Sequence, residues 1–124
     1  MIYKRGDVID INLNPTKGSE TGKIRPCIIV TNDIYNERVP VLQVVPLTNW
    51  SEKKSLILSN ITVNSTAQNG LSKKSIADCL QTRPIDIKER FIRKRGFINA
   101  TTMMEINKGL KIVFELNSEL TKQN

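Results

Sequence analysis

Apolar and polar positions along the chain fall into short blocks. Val8-Ile9-Asp10-Ile11-Asn12-Leu13 sets β-branched residues in partial alternation and predicts a strand. The stretch Asn14 to Lys23 is polar, holds two Gly and one Pro, and reads as a long hairpin loop. Pro26-Cys27-Ile28-Ile29-Val30-Thr31 is a continuous apolar run, the pattern of a strand buried on both faces. After a polar connection from Asn32 to Pro40, Val41 to Leu47 repeats that pattern, with Pro46 suggesting an edge or a strand end. Trp50 to Lys54 reads as a charged loop. Ser55-Leu56-Ile57-Leu58 and Ile61-Thr62-Val63 are short strand candidates, and Ser75 to Gln81 is another. Arg83-Pro84-Ile85-Asp86 reads as a turn, and Arg90 to Ile98 as a strongly basic strand.

The period then changes. Met103, Ile106, Leu110 and Val113 are spaced as one face of an amphipathic helix, with Asn99 as N-cap or Thr102 and Glu105 as a capping box. Gly109 lies inside this helix, where a small residue allows close packing. Strands followed by one helix predict a mainly β fold, a small bent antiparallel sheet or barrel with a packed C-terminal helix. The 124 residues suit one domain, residues 1–124, since domains usually hold about 100–200 residues.

Composition narrows the chemistry. The chain has no histidine, which excludes Ser-His-Asp triads, Cys-His pairs and HExxH zinc sites. Cys27 and Cys79 form no CxxC and lie in apolar runs, so they read as buried reduced thiols. Lys and Arg exceed Asp and Glu by 19 to 12, a net charge of +7 that suits nucleic acid, a membrane surface or an acidic protein. No apolar run approaches the roughly 18 residues of a membrane span, and no signal-peptide core follows the N-terminal charges. The expected compartment is the cytoplasm.

The loop Thr16 to Gly22 is no Walker cradle, because Lys23 is followed by Ile24 and then a strand. A flap over a site suits its length and polarity. Arg25 and Thr48 are polar residues at the ends of buried runs, where functional groups are often displayed.

Several motifs combine in order: Arg5-Gly6-Asp7-Val8, Asn14-Pro15-Thr16-Lys17-Gly18-Ser19-Glu20, and Arg25-Pro26 entering a buried strand. Val45-Pro46-Leu47-Thr48, Gln81-Thr82-Arg83-Pro84-Ile85-Asp86 and the C-terminal helix complete the set. From about Tyr3 to Asn117 the chain resembles the MazF/PemK family of toxin endoribonucleases. The resemblance implies an SH3-like barrel and a homodimer. It implies cleavage of single-stranded RNA without metal or other cofactor, and an acidic cognate antitoxin lying across the RNA site. In such cleavage the substrate's 2′-OH attacks phosphorus and leaves a 2′,3′-cyclic phosphate and a 5′-OH.

By resemblance Arg25 and Thr48 carry catalysis, as donors to the developing phosphorane charge. Ser19, Glu20, Asn49 and Gln81 are the expected recognition residues, with Lys17 and Lys23 on phosphates. One departure stands out. Several relatives carry an acidic residue just before the Gln, where this chain has Leu80; Asp78 lies two residues earlier, on the same face of a regular strand. The small polar residue usual after Arg83 is replaced by Pro84. Two other readings remain open: a non-enzymatic poison of a protein such as DNA gyrase, as in the related CcdB fold, and a weakened relative that only binds RNA or antitoxin. The basic stretch Arg90, Arg93, Lys94 and Arg95 reads as a solvated strand face or an antitoxin contact, or else an extension of the RNA path.

Overall fold

The computed structural model describes residues 2–116. Its strands are β1 (Asp7–Asn12), β2 (Ile24–Ile29), β3 (Val41–Asn49), β4 (Asn60–Val63), β5 (Ser75–Asp78), β6 (Arg83–Asp86) and β7 (Phe91–Phe97). Three single-turn helices, α1 (Asp33–Asn36), α2 (Glu52–Ser55) and α3 (Ile87–Arg90), sit in connections, and α4 (Ala100–Phe114) ends the fold. Every strand pair is antiparallel, in the order β4-β5-β3-β2-β1-β7, with β6 also on β3. The mainly β fold with a C-terminal helix is therefore present. Among the described residues no ladder joins the end strands β4 and β7, so the sheet is not a ladder-closed barrel.

The central strands bury both faces, as their unbroken apolar runs require. Alternate residues enter two cores. Val8, Ile28, Val45, Leu47, Ala77, Met103 and Ile106 belong to the core under α4. Ile9, Ile11, Leu13, Cys27, Ile29, Leu42, Val44 and Ile85 fill the other face. Each such fully buried aliphatic side chain contributes roughly 1.5–3 kcal/mol.

Helix α4 starts where its cap residue dictates: the Asn99 side chain accepts from the Thr102 N–H at 2.8 Å. Met103 and Ile106 are buried, and Leu110 and Val113 pack against the same core. Arg5 ties the N-terminal segment to this helix, donating to Asn107 Oδ1 and, at 3.0 Å, to the Val30 carbonyl.

Several elements differ from the pattern reading, each for a local reason. Ser55 to Leu58 is not a strand. The Ser51 hydroxyl accepts from the Lys54 N–H and caps α2, and Leu56 and Leu58 then stand 77% and 81% exposed. Arg83 to Asp86 is a strand rather than a turn, and Pro84, on an outer strand, needs no ladder donor. Pro46 marks neither an edge nor an end. β3 runs on to Asn49, and Pro46 lies where one side of β3 changes partner, from β6 over Val41–Val44 to β5 over Leu47–Asn49. No partner on that side calls for its missing N–H. β5 stops at Asp78 and a 3₁₀ turn, Cys79–Gln81, follows, so Asp78 and Leu80 do not share a strand face. Arg90 belongs to α3, and β7 begins at Phe91.

The basic stretch is spent on structure. Arg93 and Arg95 pair with the buried Asp10 carboxylate at 2.8 and 2.6 Å, and Lys94 reaches Asp7 at 3.3 Å. Arg90 donates to the Asn12 and Asn14 carbonyls. These bonds hold β7 and α3 to β1, and β1 in turn holds the rest of the sheet.

Gly109 is where α4 meets the 3₁₀ turn. A Cβ there would lie 2.7 Å from Cys79 Sγ and 3.1 Å from the Ser59 carbonyl. Gly109→Ala gains about 1 kcal/mol of helix propensity but forces apart a packed contact that costs about 1–3 kcal/mol. The expected outcome in thermal denaturation is a lowered Tm; a raised Tm would show that the helix has room to shift.

Candidate active site

The site forms where an apolar sheet face runs out. Along β2, Arg25, Cys27 and Ile29 share one face; along β3, Leu42, Val44, Pro46 and Thr48 do. β2 and β3 pair with Cys27 opposite Pro46. Carried two residues further, that register faces Arg25 with Thr48. On the other side β5 sets Ile76 opposite Thr48, and Asp78 is two residues along on the same face. Three adjacent strands thus deliver a guanidinium, a hydroxyl and a carboxylate to one end of one face. All three are partly exposed there.

They line a cleft of about 640 Å³, together with Asn14, Thr16, Ser19, Glu20, Thr21, Gly22, Lys23, Asn49, Lys54 and Gln81. Of the eight residues expected to form the site, seven meet here: Ser19, Glu20, Lys23, Arg25, Thr48, Asn49 and Gln81. Lys17 is exposed but lies outside the lining. Asp78, Lys54, Thr16 and Asn14 join without having been singled out as site residues. Lys54 was read as part of a charged loop, yet its ammonium donates to the Asn49 carbonyl at 3.2 Å. The signal for it was its place just after the Thr48-Asn49 strand end.

The 3₁₀ turn decides which way 78 to 81 point. Residues three apart eclipse in such a turn, so Asp78 and Gln81 come to the same side. Leu80 turns away, 67% exposed, toward an adjoining hollow lined by Glu20, Gln81, Thr82, Arg83 and Pro84. Leu80 therefore stands outside the main cleft, whereas Asp78 lines it.

The roof is the loop between β1 and β2. Lys17 and Glu20 close its tip: the Glu20 N–H donates to the Lys17 carbonyl at 3.1 Å, and the Lys17 N–H to Glu20 Oε1 at 2.8 Å. At the neck, Leu13 N–H donates to the Lys23 carbonyl and Lys23 N–H to Asn14 Oδ1, both at 2.9 Å. These bonds hold Lys23 at a left-handed φ of 69°. Arg25 Nε donates to the Gly22 carbonyl at 2.9 Å. That anchors the guanidinium and leaves its two Nη groups without a protein hydrogen bond among the described residues. Below the cleft, Trp50 pins the end of β3: its Nε1 donates to Thr62 Oγ1, and the Lys74 ammonium lies 4.1 Å above its ring.

Neither cysteine is a reactive group. Burial pushes the Cys27 thiol up to about 12, against the pull of the Arg83 and Arg25 guanidiniums and with a push from Asp10. Burial, helped by the Asp78 charge, also pushes Cys79 up to about 12. Among the described residues no three His, Cys, Asp or Glu side chains cluster as a metal site.

Fold and site together define a class: small antiparallel β-proteins with one terminal helix and a hydrophilic cleft roofed by the first hairpin loop. A family model for the PemK-like, MazF-like toxin of type II toxin–antitoxin systems matches residues 4–114. The endoribonuclease MazF of Staphylococcus epidermidis is 32% identical over 117 residues, covering 94% of this chain and 95% of its own. Among solved structures, MazF of Deinococcus radiodurans aligns with a TM-score of 0.79 at 19% identity, over 94% of this chain and 99% of its own. A mycobacterial endoribonuclease solved in complex with its cognate antitoxin gives 0.73, also at 19%, over 93% and 97%. The chain belongs to the PemK-like, MazF-like toxin family of type II toxin–antitoxin systems.

The raised thiols give a direct check on the site's chemistry. In the folded protein at pH 8 both cysteines should resist iodoacetamide, and both should alkylate once the protein is unfolded. Mass spectrometry reads the difference. Rapid native labelling of Cys27 would mean that the core around β2 opens.

Proposed function

We propose that the protein is the toxin endoribonuclease of its toxin–antitoxin pair and cleaves single-stranded RNA in the cleft without a metal. The observation that carries this reading is the convergence of Arg25, Thr48 and Asp78 on one cleft, in a chain that belongs to this toxin family. RNA lies with its reacting phosphate over that trio. The 2′-oxygen bonds to phosphorus as the P–O5′ bond breaks, leaving a 2′,3′-cyclic phosphate and a 5′-OH end. Arg25, through its free Nη groups, and the Thr48 hydroxyl donate to the non-bridging oxygens as charge builds there.

A guanidinium stays protonated at neutral pH and is a poor proton acceptor. The 2′-OH proton therefore goes to a carboxylate, and Asp78 is the one placed on the same face as Thr48 and Arg25. The departing 5′-oxygen takes its proton from solvent. DNA, lacking the 2′-OH, cannot react this way.

Ser19 and Glu20 on the loop and Asn49 beside Thr48 recognise the bases, with Gln81 at the cleft wall. Lys23 and Lys17 contact flanking phosphates. The net charge of +7 also fits an acidic antitoxin segment lying across the same cleft. The protein acts as one domain in the cytoplasm, as a homodimer. The run Leu56-Ile57-Leu58, each side chain at least half exposed, supplies apolar surface for a partner chain. No helix among the described residues is long and apolar enough to cross a membrane.

The test is cleavage of a mixed RNA pool by purified protein in the presence of EDTA, with mapping of the ends. Cyclic phosphate at the 3′ ends is expected. Intact RNA, or a strict need for a divalent metal, would sink the mechanism. Arg25→Ala should lose on the order of 100–1,000-fold in rate. Asp78→Asn should lose roughly 100–10,000-fold in rate.

A further inference from the structure

We propose that Gln81 is a positioning residue: its amide clasps the loop between β1 and β2 and, through that loop, aims Arg25 across the cleft. The proposal rests on the cleft being the RNA-cleaving site, and it gives Gln81 a role other than base recognition.

Both ends of the amide are engaged. Gln81 Oε1 accepts from the Thr21 N–H at 3.1 Å, and Gln81 Nε2 donates to the Ser19 carbonyl at 3.2 Å. The loop spans 13–23. Among the described hydrogen bonds, these two tie its segment 17–21 to the body of the protein; the others made by that segment are internal to its tip. Without the clasp, the tip would depend on the neck bonds at Leu13, Asn14 and Lys23.

The base of the clasp is rigid. Gln81 ends the 3₁₀ turn whose first residue, Cys79, is fully buried in the core under α4. The next residue, Thr82, donates its hydroxyl to the Val44 carbonyl at 2.9 Å and accepts from Gln43 Nε2 at 3.2 Å. The amide therefore stands on the central sheet.

The coupling to Arg25 is short. A single peptide unit separates the clasped Thr21 N–H from the Gly22 carbonyl, which accepts from Arg25 Nε. Gly22 has little freedom to move independently. A Cβ there would lie 2.6 Å from Thr16 Oγ1 and 2.7 Å from Asn14 Oδ1, so the backbone passes tightly between those side chains. Releasing Gln81 frees the limb that holds the guanidinium, and Arg25 then loses the orientation that its donors need.

The clasp requires one acceptor and one donor at the end of a side chain of this length. An ionised Glu offers acceptors only and would set a negative charge against the Ser19 carbonyl and beside Glu20. Gln81→Glu should therefore behave like Gln81→Ala, although it nearly preserves the side chain's shape.

The experiment uses both variants in the full chain and has two arms. In the first, without RNA, amide hydrogen exchange over residues 17–23 and trypsin cleavage after Lys17 and Lys23 report the loop. Losing both hydrogen bonds in Gln81→Ala, or the Ser19 bond with added carboxylate–carbonyl repulsion in Gln81→Glu, should speed both by roughly tenfold or more. In the second, kcat should fall roughly tenfold for both variants on a short RNA, with KM changed less than about threefold and base preference retained. Unchanged loop exchange in both variants would overturn the clasp. A raised KM with relaxed base preference over an unaltered loop would instead make Gln81 a base reader. A loosened loop with unchanged kcat would overturn the coupling to Arg25. If the wild-type protein fails to cleave RNA, the functional reading falls, while the first arm still decides the clasp.

Discussion

Strand β3 is the element on which the rest of the structure depends. It is buried on both faces, so every one of its backbone groups needs a partner from the protein itself. β2 supplies one side. On the other side β6 serves the first half and β5 the second, with Pro46 at the changeover, where no donor is needed. Because the strand is shared in this way, its far end emerges between β2 and β5. Thr48 then faces Arg25 on one neighbour and lies diagonal to Asp78 on the other. The cleft follows from how one strand satisfies its hydrogen bonds.

Two groups of cations differ in what they bind. Arg90, Arg93, Lys94 and Arg95, the densest basic run in the chain, bind carboxylates and carbonyls of the first strand and loop. The cations left at the cleft are few and scattered in sequence: Lys23, Arg25 and Lys54. The densest run of charge along the chain is tied to β1, because the buried Asp10 takes two arginines. The loop over the cleft is likewise held in part by a residue distant in sequence, Gln81, besides its own tip and neck bonds.

Much of the architecture was legible in the amino acids. The unbroken apolar runs at 26–31 and 41–47 meant strands buried on both faces, and two cores receive their alternate residues. The spacing of Met103, Ile106, Leu110 and Val113, with Asn99 before them, marked the last helix and its cap. Less legible were the segments whose state depends on a partner. Ser55 to Leu58 has strand-like residues but no strand to pair with, so a Ser51 cap turns the chain instead. Arg83 to Asp86 has turn-like residues but meets the free edge of β3, and becomes a strand. Leu80 and Asp78 would share a face in a regular strand. A 3₁₀ turn separates them and leaves the carboxylate, not the leucine, in the cleft.

The sequence by itself determined the class of chemistry. The absence of histidine and the placing of both cysteines inside apolar runs excluded histidine- and thiol-based sites, and the ordered motifs, through the family they resemble, marked Arg25 and Thr48. The first conclusion rests on composition and the second on a resemblance carried by ordered motifs, and neither needs a packing partner to be read. Tertiary structure alone decided that Asp78 joins them in the cleft, that the basic strand is tied to Asp7 and Asp10, and that Gln81 bonds the loop. Each of those depends on which strand lies beside which. Pairing register is a long-range property, set by how two cores and one shared strand are packed at once.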